Sequence, residues 1–410
     1  MRDGYAEVDG EGNLRIPADV ARRMGLTPGA RVKFRRLEDR LLLQRPITQL
    51  ARVYIEPTTE CNLRCRTCIR NVWQEPLGRM AGDTFRRILN GLEALPEPPT
   101  IFFGGFGEPL VHPEILEMVG QARHLGGPVE MITNGILLDE KRAEALIEVG
   151  LERLWVSIDG ASPECYADVR QADSLSQVIA NLERLQHLRV RTHSTTPAIG
   201  ISFVAMKRNL DELAEVLKLE YHVGADKFLI TNVYPHTVEL GEQILYRRSI
   251  GEALRGSSTI RMPRLDWNRD TTGVLEATIR GFYGSQLEGL DLLWASDTCP
   301  FVSRGSTCVR WDGQVSPCLP LLHSHTSYLE GRRRDNTSHS FGSVREHRLL
   351  DLWASPEYVS LRARLEDFDF SPCTACNSCE YADSNQEDCF GNRTPTCGGC
   401  LWAQGFIQCP

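Results

Sequence analysis

The stretch that decides the fold runs from Val53 to Cys68 and reads VYIEPTTECNLRCRTC. A short apolar segment typical of a buried β-strand is followed at once by a polar loop with cysteines at positions 61, 65 and 68. Three thiolates on one loop can hold three irons of a cubane cluster and leave the fourth iron without a protein ligand. A zinc site is the alternative, but it would need a fourth Cys or His, and the first histidine of the chain is His112.

Strand-like and helix-like segments alternate from this stretch to about His236 at the spacing of βα units. The alternation predicts a parallel sheet with right-handed crossovers. The predicted strands are Val53–Pro57, Ile101–Gly104, Val129–Thr133, Leu154–Ile158, Ile199–Val204 and Phe228–Thr231. The predicted helices are Asp83–Leu95, Pro113–His124, Asp139–Val149, Leu175–Leu188 and Leu210–His222. Six repeats indicate an α/β fold with a partial (β/α)6 barrel, whose functional loops should follow the carboxyl ends of the strands.

Composition narrows the class of protein. A chain of 410 residues with 41% hydrophobic residues can bury a large core, and its length predicts two or three domains. Apolar runs fall short of the roughly 18 residues that a membrane span needs, and the polar start does not read as a signal peptide, so we expect a cytoplasmic protein. A net charge of -8 argues against general nucleic-acid binding. In a reducing cytosol, the fourteen cysteines are better explained as metal ligands than as disulfides.

Polar motifs follow the second, third and fourth predicted strands. They read Gly104-Gly-Phe-Gly-Glu-Pro109, Thr133-Asn-Gly135 and Ser157-Ile-Asp159. Together with the three-cysteine loop, they resemble the radical S-adenosylmethionine (SAM) superfamily. The resemblance implies a catalytic 4Fe–4S cluster held by Cys61, Cys65 and Cys68, with SAM bound at its open iron. It also implies SAM contacts from Gly105, Gly107, Glu108, Asn134, Ser157, Asp159 and Arg170.

Several of these residues have a simpler interpretation. Phe106 departs from the plain GGE form of the motif, which leaves the assignment among Gly105, Gly107 and Glu108 open. Asn134 and Asp159 would also serve as ordinary turn or capping residues. Cys165 is better read as a small packed side chain than as a ligand.

Ten cysteines crowd the last part of the chain. The first three, Cys299, Cys308 and Cys318, with Gly313 five positions before the last, resemble the opening of the SPASM domain. The resemblance implies that the cysteines of this region ligate one or two auxiliary 4Fe–4S clusters, for which eight thiolates suffice. The later members depart from the usual SPASM spacing and are Cys373, Cys376, Cys379, Cys389, Cys397, Cys400 and Cys409. Their two CxxC pairs would also suit tetrahedral zinc, as in a zinc ribbon.

The first 46 residues read as a separate small unit. Two hairpins are predicted, Tyr5–Asp9 with Leu14–Pro17 and Arg31–Arg36 with Arg40–Gln44, around a helix at Pro17–Met24. This arrangement resembles the AbrB/SpoVT swapped-hairpin domain, which implies a homodimer and makes DNA binding by this basic unit a hypothesis. The predicted domains are 1–46, a radical SAM barrel at 47–236, a bridging segment at 237–296 and the auxiliary cluster domain at 297–410.

One detail points to a subgroup. The segments Cys68-Ile-Arg-Asn-Val-Trp73 and Pro395-Thr-Cys-Gly-Gly-Cys-Leu-Trp-Ala-Gln-Gly405 resemble the radical SAM proteins associated with tungsten-containing aldehyde:ferredoxin oxidoreductases. The resemblance implies an enzyme that cleaves SAM to a 5'-deoxyadenosyl radical and matures that oxidoreductase or its pterin cofactor. A ferredoxin or flavodoxin would supply electrons.

Two other functions stay open on the sequence. One is a peptide- or protein-modifying SPASM maturase, which is the commonest work of that class. The other is an iron–sulfur redox-sensing regulator that binds DNA through residues 1–46. Cleavage of SAM favours either enzyme, whereas salt-dependent, sequence-specific DNA binding favours the regulator.

Overall fold

The computed structural model describes residues 5–37, 40–247, 266, 268–274, 286–288, 299–374, 376 and 379–410. The N-terminal unit contains two antiparallel hairpins, β1 (Glu7–Val8) with β2 (Leu14–Arg15) and β3 (Phe34–Leu37) with β4 (Arg40–Leu43). The helix α1 (Ala18–Arg23) lies between them in the chain. The predicted hairpins and helix are confirmed, while the likeness to AbrB/SpoVT domains and the dimer that it implies stay predictions.

Six parallel strands form the barrel, in the order of the chain. Each strand is paired with the next along the sequence, which confirms the predicted βα topology. They are β5 (Arg52–Ile55), β6 (Thr100–Phe103), β7 (Val129–Thr133), β8 (Arg153–Ser157), β9 (Ala198–Ala205) and β10 (Ala225–Asn232). Because both faces of such a sheet are covered, most residues of these strands are apolar.

Four of the five predicted helices are confirmed, with ends that shift by up to three residues. They are α2 (Gly82–Leu92), α3 (Ile115–Arg123), α4 (Glu140–Glu148) and α6 (Leu175–Arg191), and a further helix absent from the prediction, α5 (Pro163–Arg170), precedes α6. The single helix predicted at Leu210–His222 is instead a 3-10 turn at Leu210–Glu212, then α7 (Leu213–Leu217) and α8 (Leu219–Val223). Asn209 explains its tight start, because its side-chain amide donates to the backbone oxygens of Asp159 and Val204 and holds this turn against the strand ends.

The bridging segment 237–296 falls mostly outside the described residues. Its described parts include α9 (Val238–Glu242) and β11 (Gln286–Glu288), which runs parallel to β10.

The C-terminal region begins with α10 (Pro300–Ser303), followed by β12 (Ser306–Val309) and β13 (Val315–Ser316). Strand β12 runs parallel to β5 and so joins the barrel sheet beside the strand that carries the cysteine loop. The rest of this region contains the hairpin of β14 (His325–Leu329) and β15 (Arg332–Asn336) and the helices α11 (Leu349–Trp353) and α12 (Pro356–Asp367).

The two sides of each barrel strand meet different partners, because successive side chains point to opposite faces. In β5, Val53 and Ile55 pack in the core between the sheet and the outer helices. Tyr54 belongs to a second apolar cluster, which includes Phe301 and Phe406 of the C-terminal region. The C-terminal region therefore covers the barrel lumen. No helix in the described part of the chain is long and apolar enough to cross a membrane.

Candidate functional site

The three cysteines of the CxxxCxxC motif lie together on the loop that follows β5. Cys68 donates its backbone N–H to the carbonyl oxygen of Cys65 at 3.0 Å, which closes a tight turn between them. The backbone N–H of Leu63 points to Cys61 Sγ at 3.3 Å. All three thiols are only partly exposed. The loop therefore presents three sulfur donors from one short segment.

Two arginines place positive charge next to these sulfurs. Arg70 Nε donates to Cys68 Sγ at 3.2 Å, and Arg170 Nη1 lies 3.9 Å from Cys65 Sγ. Burial raises the pKa of the Cys61 and Cys65 thiols, so the free thiols would resist ionisation. Nearby cations and N–H donors favour the thiolate, the form that binds metal. The donor set therefore suits an iron–sulfur cluster.

Arg70 is a candidate site residue that the sequence interpretation did not single out. Its two terminal nitrogens donate to the carbonyl oxygens of Thr59 and Leu63 at 2.9 and 3.0 Å. These bonds fix the guanidinium within the cysteine loop and aim its Nε at Cys68. In the sequence, the signal for this contact is an arginine two residues after Cys68, the last cysteine of the motif.

The geometry of single-ion sites is not found at these cysteines. Within the described ranges, no three Cys, His, Asp or Glu side chains converge as the ligands of one metal ion would. The ligands of a cubane bind separate iron atoms and need not converge on one point. The arrangement is therefore compatible with a cluster on Cys61, Cys65 and Cys68.

The glycine-rich loop after β6 lies directly against the cysteine loop. A Cβ at Gly107 would stand 2.1 Å from the carbonyl oxygen of Thr58, and a Cβ at Gly105, whose φ is +144°, would stand 2.7 Å from Glu56 Cγ. Only glycine permits both the backbone conformation and this approach. The N–H of Glu108 also donates to the carbonyl oxygen of Glu60 at 2.8 Å. Gly105 and Gly107 thus bring the two predicted binding loops into contact.

The carboxylate of Glu108 is buried and engaged within the chain. It accepts hydrogen bonds from Thr133 Oγ1 and from the Asn134 N–H, both at 2.7 Å, and from the Leu110 N–H at 3.0 Å. Burial raises its pKa, against the effect of these donors. Glu108 therefore ties the glycine-rich loop to the end of β7. Its predicted contact with the SAM amino group stays a prediction.

Asn134 is brought to the cysteine loop as the motif order predicts. Its side-chain Nδ2 donates to Asn62 Oδ1 at 2.8 Å and lies 3.8 Å from Cys61 Sγ. It is 6% exposed. The residue therefore bridges the end of β7 and the cysteine loop. A residue that served only a local turn would not make these contacts.

Ser157, Asp159 and Arg170 lie at and beyond the end of β8. Ser157 is the last residue of that strand and pairs with Ser202 of β9. Asp159 Oδ2 lies 2.7 Å from Arg170 Nη2, and Asp159 Oδ1 accepts from the Val204 N–H at 2.8 Å. Burial raises the pKa of Asp159, and the opposed charge of Arg170 lowers it. Asp159 thus supports Arg170, which reaches the cysteine loop.

A second candidate site lies within the C-terminal region, where Tyr234 and Pro235, just beyond β10, complete its lining. It is a cavity of about 80 Å³ whose lining includes six of the ten C-terminal cysteines, namely Cys299, Cys318, Cys373, Cys376, Cys397 and Cys400. Burial raises the pKa of Cys299 to about 12, which is unfavourable for free thiolates and is relieved by metal ligation. The chemistry of this lining therefore suits an auxiliary iron–sulfur cluster.

The other four C-terminal cysteines lie outside the lining of that cavity. Cys308 is buried within β12, and burial raises the pKa of Cys409, near the end of the chain, to about 11. Cys379 is partly exposed and Cys389 is exposed. The ligation of auxiliary clusters by these ten cysteines, of which eight would suffice for two clusters, stays a prediction.

Comparisons with known proteins agree with this geometry. Residues 55–219 match the family model of the radical SAM superfamily, and residues 299–380 match that of the SPASM iron–sulfur cluster-binding domain. The chain is 32% identical over 362 residues to a tungsten-containing aldehyde ferredoxin oxidoreductase cofactor-modifying protein of Pyrococcus furiosus. That match covers 87% of this chain and 96% of the relative.

More distant relatives and a solved structure also match most of the chain. An AdoMet-dependent heme synthase of Oleidesulfovibrio alaskensis is 26% identical over 369 residues, covering 86% of this chain and 82% of its own. A PqqA peptide cyclase of Rhodopseudomonas palustris is 24% identical over 330 residues, covering 79% of this chain and 78% of its own. Streptococcus suis SuiB bound to S-adenosylmethionine superposes with a TM-score of 0.55 at 17% identity, over 82% of this chain and 72% of that one. These likenesses confirm the predicted fold class.

Proposed function

The chain belongs to the radical SAM superfamily and carries a SPASM iron–sulfur domain, and from that premise we propose that it modifies the cofactor of a tungsten-containing aldehyde ferredoxin oxidoreductase. It is an enzyme that uses SAM and 4Fe–4S clusters, as predicted. The observation that carries the proposal is the similarity to the Pyrococcus furiosus cofactor-modifying protein, which extends over 96% of that relative and so includes both domains.

The residues around the cysteine loop support the SAM-dependent part of this function. When bound, the cluster and SAM supply a 5'-deoxyadenosyl radical by reductive cleavage. Arg170 is held by Asp159 with its guanidinium beside Cys65, where a fixed positive charge suits the carboxylate of SAM. Glu108 and Asn134 hold the neighbouring strand-end loops against the cysteine loop. These residues therefore orient SAM.

The lumen of the barrel can protect a radical from water. Tyr54, Phe102 and Trp155 lie on the inner side of the barrel strands, and each is at most 2% exposed. Residues of the C-terminal region, including Phe301 and Phe406, belong to the same apolar cluster. An apolar enclosure of this kind limits side reactions with solvent.

The electron donor is part of the proposal. A ferredoxin or flavodoxin would reduce the catalytic cluster, and the auxiliary clusters would relay electrons or anchor substrate. The aldehyde ferredoxin oxidoreductase would be the client, meaning the protein whose cofactor this enzyme modifies.

The test supplies the proposed client to the reconstituted enzyme. The tungsten oxidoreductase is produced without this chain and then incubated anaerobically with the enzyme, SAM and dithionite. We expect 5'-deoxyadenosine formation to rise when this client is added, and we expect the mass of the extracted pterin cofactor to change. The Cys65→Ala variant is the matched control and should produce neither change.

A second candidate function is favoured by the similarity to the PqqA peptide cyclase. In that case the target would be a polypeptide, and the mass change would appear in the protein part of the client or in a separate peptide. Intact-protein mass spectrometry on the same reactions separates the two. Cleavage of SAM that responds to neither the client nor its cofactor would contradict the tungsten proposal.

A further inference from the structure

The side chain of Glu56 packs against the glycine-rich loop and accepts a hydrogen bond from it. Glu56 follows β5 immediately, its side chain is fully buried, and its Oε1 accepts a hydrogen bond from the Phe106 N–H at 3.2 Å. Gly105 packs so closely on Glu56 that a Cβ there would meet the Glu56 side chain at 2.7 Å. The position of this carboxylate therefore bears directly on the conformation of the loop.

His323 of the C-terminal region holds that carboxylate in place. Its Nε2 lies 2.9 Å from Glu56 Oε2, and its Nδ1 lies 2.7 Å from Glu75 Oε2. Both ring nitrogens face carboxylates, so the protonated ring, which donates from both, is the form that satisfies them. Its side chain is 1% exposed, and the ring of Trp73 lies 4.1 Å from it, centroid to centroid.

The outer carboxylate of this group is also held by the C-terminal region. Glu75 accepts from the Ser324 N–H at 2.8 Å and pairs with Arg310 Nη1 at 3.1 Å. Glu56 and Glu75 stand on either side of the cysteine loop in the sequence. His323 therefore clamps both flanks of that loop and, through Glu56, the glycine-rich loop.

An arrangement of buried charges such as this one contributes little net free energy of folding. Buried ion pairs are often no more stabilising than apolar side chains of the same volume, because both charges must be desolvated. Buried ion pairs do restrict geometry. A preorganised binding site is sensitive to displacements of well under about 1 Å. A geometric role fits the position of the group better than a purely structural one.

We propose that His323 is a positioning residue for SAM, which acts through Glu56 to set the conformation of the glycine-rich loop against the cysteine loop. The auxiliary domain thereby takes part in building the SAM site, in addition to any clusters that it holds. The inference concerns SAM binding and does not depend on which substrate the radical attacks.

The experiment compares the reconstituted full-length chain with His323→Ala, His323→Gln and the exposed control His347→Gln. The SAM dissociation constant is read from the change that SAM causes in the EPR spectrum of the dithionite-reduced cluster. The KM and kcat for 5'-deoxyadenosine formation are measured on the same samples, and iron is counted to show that each variant is loaded.

We expect His323→Ala to weaken SAM binding about tenfold, which corresponds to about 1.4 kcal/mol. Its kcat at saturating SAM should stay within about threefold of the wild type, because no reacting group is removed. Gln retains one N–H donor for a carboxylate, so His323→Gln should recover part of the affinity, and His347→Gln should behave as wild type.

A His323→Ala protein with full iron and a SAM dissociation constant within about twofold of wild type would overturn the inference. If that variant fails to take up iron, Glu75→Gln decides instead, since it keeps the buried Glu56–His323 pair and weakens only its outer support. We expect Glu75→Gln to raise the dissociation constant by about threefold, and wild-type binding by this variant would also overturn the inference. Failure of the tungsten client to respond leaves this result unaffected.

Discussion

Asp159 and Arg170 form an ion pair that solvent barely reaches, with 2.7 Å between Asp159 Oδ2 and Arg170 Nη2. Their side chains are 0% and 9% exposed. The same guanidinium lies beside Cys65, so a cation next to the catalytic cysteines depends on one buried carboxylate. Removing that carboxylate leaves a buried charge without its partner.

The Asp159→Asn variant should therefore be much less stable. Breaking a buried pair from one side costs about 3–5 kcal/mol, whereas breaking an exposed pair costs at most about 1 kcal/mol. Asp168→Asn is the matched control, because Asp168 pairs with Arg66 and Arg208 but is 43% exposed. Midpoints of anaerobic chemical denaturation measure the difference, and equal losses in the two variants would contradict the expectation.

Replacing Cys65 with Ala should abolish 5'-deoxyadenosine formation and remove about four irons per chain, because two thiolates do not hold a cubane cluster on this loop. Cys165→Ala is the control. Cys165 lies outside the cysteine loop, on α5, and burial raises the pKa of its thiol to about 11. It should keep both iron and activity. If the Cys65→Ala variant still cleaves SAM, the assignment of the catalytic cluster to this loop is contradicted.

Arg70→Gln should lower the midpoint potential of the catalytic cluster. A positive donor on Cys68 Sγ stabilises the more negative, reduced cluster, and hydrogen bonds to the sulfurs are a known lever on potential. We expect a downward shift on the order of tens of millivolts, since charge-assisted hydrogen bonds are stronger than neutral ones. Arg64→Gln, on the exposed side of the same loop, is the control. A redox titration followed by EPR checks both, and an unchanged or raised potential in Arg70→Gln would show that the contact does not tune the cluster.

The pH dependence of SAM binding should report His323. Burial by itself lowers the pKa of this imidazole, but Glu56 and Glu75 raise it to about 9, with Arg310 and His325 also nearby. Because the folded pKa lies above the unfolded value of about 6.5, the stabilisation of the clamp by the protonated ring is complete below pH ~6.5. It is lost as the pH rises through ~9, where the ring loses its proton and can no longer donate to both carboxylates.

The SAM dissociation constant should therefore rise between about pH 8 and 10 in the wild type. In His323→Gln the same constant should be flat over that range, since the titrating ring is gone. Parallel curves for the two proteins would assign the pH dependence to another group.

Much of the barrel could be predicted because its signals are local. The strand Val129–Thr133 lies where the pattern placed it, since a run of apolar residues between turn signals is legible within a few residues. The cysteine loop and Asn134 were likewise recognisable by their positions after strands. The helix predicted at Leu210–His222 was divided, because the side chain of Asn209 anchors its start to distant backbone atoms that no local pattern reveals.

By itself, the sequence determined the parallel βα order, the cluster-binding loop and the iron–sulfur character of the C-terminal region. Each of these is encoded by spacing or periodicity over a few residues. Only the tertiary structure decided that β12 joins β5, that six C-terminal cysteines line one cavity, and that His323 meets Glu56 across 267 positions of the chain. Such contacts follow from how whole elements pack, and packing depends on the combined burial of many side chains, which no single motif records.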